Sequence, residues 1–84
     1  MNWYEVQELI KQGREIEFHF NNISYFIQPD YSSGTVTAYT KVYLYNCNNE
    51  ILFQGPVNEL SNFKFDNKYT LKEHFEKFQL DYLL

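Results

Sequence analysis

"REIEFHFNNISYFIQ", residues 14–28, is the stretch that decides the fold. Its first half alternates. Ile16, Phe18 and Phe20 go to one side and Glu15, Glu17 and His19 to the other, the period-two pattern of a strand with one dry and one wet face. Asn21-Asn22 then interrupts the run. Asparagine tolerates the positive φ that a two-residue type I′ turn needs at both central positions, so the flanking runs are expected to pair as an antiparallel hairpin. In the second half Ile23, Tyr25 and Ile27 oppose Ser24, Phe26 and Gln28. Each side carries an aromatic residue, and alternation alone leaves the buried side open.

Downstream, "TVTAYTKVYLYN" at 35–46 continues the pattern, with Val36, Ala38, Thr40, Val42 and Leu44 on one face. Thr35, Thr37, Tyr39, Lys41, Tyr43 and Tyr45 fall on the other. Such a run is long for one strand and predicts a bend or bulge. "PDYSSG" before it is a loop, and "CNN" after it turns the chain into "EILFQ", a fourth strand that Gly55-Pro56 ends.

Helices are expected at both ends. "NWYEVQELIKQG" has Asn2 as N-cap with Glu5 three residues on, an apolar stripe of Trp3, Val6, Leu9 and Ile10, and Gly13 as the stop. Near the other end Thr70 caps "LKEHFEKF", with Glu73 completing a Thr-x-x-Glu box and Leu71, Phe75 and Phe78 forming the stripe. "VNELSNF" reads as a short helix or turn, "KFDNKYT" as a loop, and the apolar ending "QLDYLL" as a tail tied to the body. The predicted fold is α+β: a four-stranded antiparallel meander with the N-terminal and C-terminal helices on one face. The expected core is Trp3, Val6, Ile10, Ile16, Phe18, Phe20, Val36, Val42, Leu44, Phe53, Leu71, Phe75 and Phe78.

With 84 residues the chain makes one domain, 1–84, because a second core would not fit. Aromatics supply 20% of the residues and Ala38 is the only alanine, so the core is built from few, large side chains. Net charge is −4, with five acids against two bases in residues 1–35 and six against five in 36–84. No basic run exists of the kind that phosphate neutralisation demands, which argues against a conventional nucleic-acid binder. No apolar run approaches the length of a membrane span, and the polar, amphipathic N-terminal stretch does not read as a signal peptide. The expectation is a cytoplasmic protein with no membrane partner.

Chemistry finds little to work with. Cys47 is the single cysteine, so no internal disulfide can form, and it sits in a polar turn. Cys47 with His19 or His74 is the only conceivable nucleophile–base pair, and nothing marks a site around it. His19 reads as a solvated strand histidine and His74 as a boundary residue beside the last apolar stripe. Glu15 and Glu17 share a strand face, but acid–base work needs burial that an exposed hairpin does not give. The three glycines are scattered, so no phosphate loop is present. The expectation is no enzyme, no metal site and no cofactor.

Two binding features remain. One is the face of Tyr39, Lys41, Tyr43 and Tyr45, since tyrosine offers rigid amphipathic area and is enriched at interfaces. The other is an acidic front, Glu5 and Glu8 on the first helix and Glu15 and Glu17 on the hairpin, suited to a basic partner. The tyrosines could instead stabilise the sheet across strands, pack against a second copy in a homodimer, or stack the bases of a single strand. The last option is poorly served by Lys41 as the only cation on that face. "LFQGP" at 52–56 also matches the cleavage sequence of a picornaviral 3C protease, although its flanks read as native strand.

"LIKQGREIEFHFNNISYFI" at 9–27 and "FKFDNKYTLKEHFEKFQLDYLL" at 63–84 resemble a group of small proteins from low-GC Gram-positive bacteria and their phages. The likeness covers about half the chain and does not extend to residues 29–58. The resemblance implies a mobile-element context, and in size and charge the chain is similar to type II anti-CRISPR proteins, small acidic inhibitors of a Cas9-like nuclease. It carries over no site residue. The expected function is a non-enzymatic protein-binding module, in its sharpest form an inhibitor of a CRISPR effector nuclease, acting as monomer or homodimer.

Overall fold

Asn21 and Asn22 both hold positive φ, 52° and 63°, and close a hairpin between β1 (Ile16–Phe20) and β2 (Ile23–Pro29). The computed structural model describes residues 2–30, 41–65, 67–77 and 81–83, with Lys77 and 81–83 described by backbone alone. From the hairpin a meander runs through β3 (Lys41–Asn46) and β4 (Ile51–Pro56), each strand antiparallel to the one before. Asn46 holds the last turn. Its side-chain carbonyl accepts from the amides of Asn48 at 2.9 Å and Glu50 at 3.1 Å, while Asn49 takes φ 61°. These are the asparagine turn devices that spacing alone suggests.

The register settles which side of β2 is buried. Ile16 pairs with Ile27, Ile27 with Leu44, Phe18 with Tyr25 and Pro29 with Val42. Ile16, Phe18, Ile27, Val42 and Leu44 are all buried. Tyr25 and Ile27 therefore point inward and Phe26 outward. The helices cover this inner face. Helix α1 (Trp3–Lys11) buries Trp3, Val6 and Ile10; α2 (Val57–Leu60) buries Val57 and Leu60; α3 (Leu71–Lys77) buries Leu71 and Phe75. All of these side chains join the strand residues in one apolar cluster. Trp3 and Phe18 each pack a ring on Phe75, at 5.8 and 5.1 Å between centroids.

Both expected caps form. Asn2 Oδ1 accepts from the Glu5 amide at 2.9 Å, satisfying one orphan donor of the first turn. At the other end of α1 the amide of Arg14 reaches Leu9 O and that of Gly13 reaches Ile10 O, with Gly13 at φ 79°. This is the paired bonding of a Schellman stop, which favours glycine. For α3, Thr70 Oγ1 accepts from the Glu73 amide while Glu73 Oε1 accepts from the Thr70 amide, at 3.2 and 3.1 Å. The reciprocal pair closes the capping box.

The expected α+β fold is present, a four-strand antiparallel meander with helices α1 and α3 on one face, and the structure extends it by one strand and corrects the readings of His74 and of the core. The tail supplies a fifth strand, β5 (Asp81–Leu83), which pairs antiparallel with β1, so the sheet order is β4-β3-β2-β1-β5. A strand of three residues next to apolar helix sequence has no period to read. The irregularity expected in the 35–46 run falls, in its described half, between Leu44 and Tyr45. Leu44 pairs with Phe53 but Tyr45 with Ile51, leaving Leu52 as the extra residue on β4. His74 is no boundary residue: it is 1% exposed, ringed by Phe20, Phe65 and Tyr69. The core also takes in Ile27, Val57 and Leu60, while Phe20 and Phe53 are only partly buried. Val36, Phe78, Tyr39 and the first half of the 35–46 run lie outside the described residues.

Candidate functional site: the open face of the sheet

Because every described helix packs on the inner side, the outer side of the meander faces away from all of them. Register assembles it in rows. Glu17 stands opposite Phe26, Phe26 opposite Tyr45, and Tyr45 opposite Ile51; beside them Gln28 stands opposite Tyr43 and Tyr43 opposite Gln54. Phe26 and Tyr45 stack, with centroids 5.2 Å apart and planes at 19°. The Tyr45 hydroxyl donates to Gln28 Oε1 at 3.3 Å, and the Tyr43 hydroxyl to Asp30 Oδ2 at 3.3 Å. Lys41 Nζ lies 5.4 Å from the centroid of the Tyr43 ring. Each ring is thus held by its neighbours on the face.

Two members of this surface escape a reading by alternation. Phe26 was hidden by the ambiguity of β2. Ile51 is brought outward by the bulge at Leu52, which shifts the parity of β4, and it is 56% exposed. A bulge has no single-residue signature, so only the paired register reveals it.

The acidic front divides. Glu15 and Glu17 belong to the open face, and Glu17 Oε2 lies 3.1 Å from His19 Nε2, also on that side. Glu5 and Glu8 project from α1, whose apolar stripe is in the core on the other layer, and Glu8 pairs with Lys11 at 3.4 Å. The four acids therefore form no single surface, and only Glu15 and Glu17 share the face of Tyr43 and Tyr45. Burial raises the Tyr45 phenol above its ordinary value, and the charge of Glu15 raises it further.

The possible reactive groups are dispersed. Cys47 is exposed in the β3–β4 turn, His19 stands on the open face, and His74 is buried beneath the inner face. Among the described residues no group of three His, Cys, Asp or Glu is placed to hold a metal ion. No described helix is long and apolar enough to cross a membrane. The chain matches no protein-family model, no curated protein and no solved structure.

Proposed function

We propose that this protein is a non-enzymatic protein-binding module that meets its partner through the open face of its sheet. The observation that carries this reading is the ordered row Ile51, Tyr45, Phe26, flanked by Tyr43, on the side of the sheet opposite the helices. Rings already fixed by stacking and by hydroxyl hydrogen bonds lose little freedom on binding, and tyrosine-rich surfaces of this kind anchor interfaces. A nucleic-acid strand is the weaker occupant. Lys41 is the only described cation on the face, Glu15 and Glu17 adjoin it, and the net charge of −4 repels phosphate. The sharper form of the proposal is a mobile-element inhibitor of a nucleic-acid-handling machine, with a Cas9-like nuclease as target. Its support is small size, acidity and the resemblance carried by residues 9–27 and 63–84.

The test is binding of a purified Cas9-like nuclease to wild type and to a Tyr43→Ser/Tyr45→Ser variant, with circular dichroism to verify folding. Wild type should bind, and the variant should lose at least about tenfold, or 1.4 kcal/mol. Equal affinity of the two proteins refutes the face, and no binding by wild type refutes the inhibitor form. The exposure of Ile51 within this surface favours one second reading, a homodimer joined face to face. Light scattering would then give a doubled mass that Ile51→Glu returns to that of one chain.

A further inference from the structure

The ring surfaces of the open face are not equivalent. Tyr43 has its own cation, since Lys41 Nζ lies over its ring. The Phe26–Tyr45 stack has no described cation over it, although the two carboxylates of β1 and its approach are its neighbours. Glu17 is directly across from Phe26, and side chains so placed have Cβ atoms about 4.5–5.5 Å apart. Glu15, two residues earlier on the same side of the chain, is exposed and has no ion-pair partner among the described residues. Glu17 commits one oxygen to His19 and keeps the other.

A π-surface bordered by carboxylates suits a flat cation. A guanidinium can lie on the ring face and direct its N–H edge at the carboxylates at the same time. An ammonium is a compact, strongly hydrated charge and cannot do both. The Lys41–Tyr43 pair is an internal precedent for a cation over a ring on this face.

We infer that the protein surface recognised by the open face presents an arginine, seated over the Phe26–Tyr45 stack with its guanidinium edge toward Glu15 and Glu17. The inference rests on the open face being the contact surface and adds the chemistry of its partner. The probe is a short glycine–serine peptide carrying two arginines, followed by amide chemical shifts of the full chain. Matched peptides carry lysine or citrulline in place of arginine. Saturable shifts are expected at Glu17, Phe26 and Tyr45, with the lysine peptide at least about threefold weaker and the citrulline peptide silent. Glu15→Gln/Glu17→Gln, which alters no core residue, should weaken the arginine peptide about tenfold.

Equal binding of the lysine and arginine peptides overturns the inference, as do shifts centred on Glu5 and Glu8 or no shifts at all. The two readings fail separately. If the glutamine variant keeps full affinity for the nuclease while Tyr43→Ser/Tyr45→Ser loses it, the face stands and the arginine falls. If neither variant changes that affinity, both fall.

Discussion

Phe26 and Tyr45 stack across the β2–β3 ladder at 5.2 Å on the side of the sheet that no described helix covers. A stacked cross-strand pair of this kind is worth about 0.5–1.5 kcal/mol beyond the area it buries. A cycle of Phe26→Leu, Tyr45→Leu and the double variant, followed by urea unfolding, should return a coupling in that range. Zero coupling would mean that the rings are neighbours without energetic contact. Such modest values matter for the proposed function, since they imply that either ring can be removed without unfolding the chain.

Alkali should loosen the protein through its tyrosines. Burial raises the Tyr25 phenol above the ordinary 10.0, and the neighbouring Cys47 raises it further; burial and then Glu15 do the same for Tyr45. A folded-state value above the unfolded one means that the native chain holds its proton longer. The associated stability is complete below pH 10.0 and is lost as pH climbs through the folded value. Urea midpoints recorded upward from pH 9 should fall beyond 10. In an ultraviolet titration, Glu15→Gln should bring Tyr45 back toward its ordinary value and leave Tyr25 where it was.

His74 fills an aromatic box, with its ring edge-on to Phe20 at 4.7 Å and to Phe65 at 4.9 Å. Emptying the box by His74→Ala should cost about 2 kcal/mol or more, the usual scale for a large cavity in a packed core. His74→Phe keeps a ring of similar outline and should lose less. Chemical denaturation ranks the two, and the reverse order would show that the imidazole serves by its polar atoms and not by its shape.

The sequence Leu52-Phe53-Gln54-Gly55-Pro56 is a 3C protease target by composition, yet it is β4 in the fold. Gln54 is exposed, but Leu52 and Phe53 pack against the core and the backbone is paired to β3. A protease needs this segment lifted out, so cleavage reports on local opening. The native protein should outlast an unstructured peptide of the same sequence, and His74→Ala should be cut faster in proportion to its larger open population. Rapid cutting of wild type would show that β4 frays independently of the core.

Much of this architecture was legible because its signals are local. The Asn21-Asn22 turn, the caps at Asn2 and Thr70 and the stop at Gly13 each depend on residues a few positions apart, and each formed as read. The candidate surface was less legible because it is defined by pairing. Tyr43 and Tyr45 followed from alternation, whereas Phe26 needed the β2 register and Ile51 needed a bulge. The acids illustrate the same limit. Glu5 and Glu17 look alike along the chain, and only the packing of α1 on the inner face separates them.

The pairing of β5 with β1 has a consequence for the order of assembly. The β1–β2 hairpin closes over two residues, whereas Glu17 meets Leu83 only after nearly the whole chain has been gathered. Loop-closure entropy makes such a contact late. Until then β1 is a bare strand margin, the kind of template on which other chains can polymerise. The outward residues of that margin are Glu17 and His19, with Glu15 beside them. Charge beside an unpaired edge discourages pairing by foreign strands, a protection that Glu15 and Glu17 offer β1 for as long as β5 is not yet paired with it.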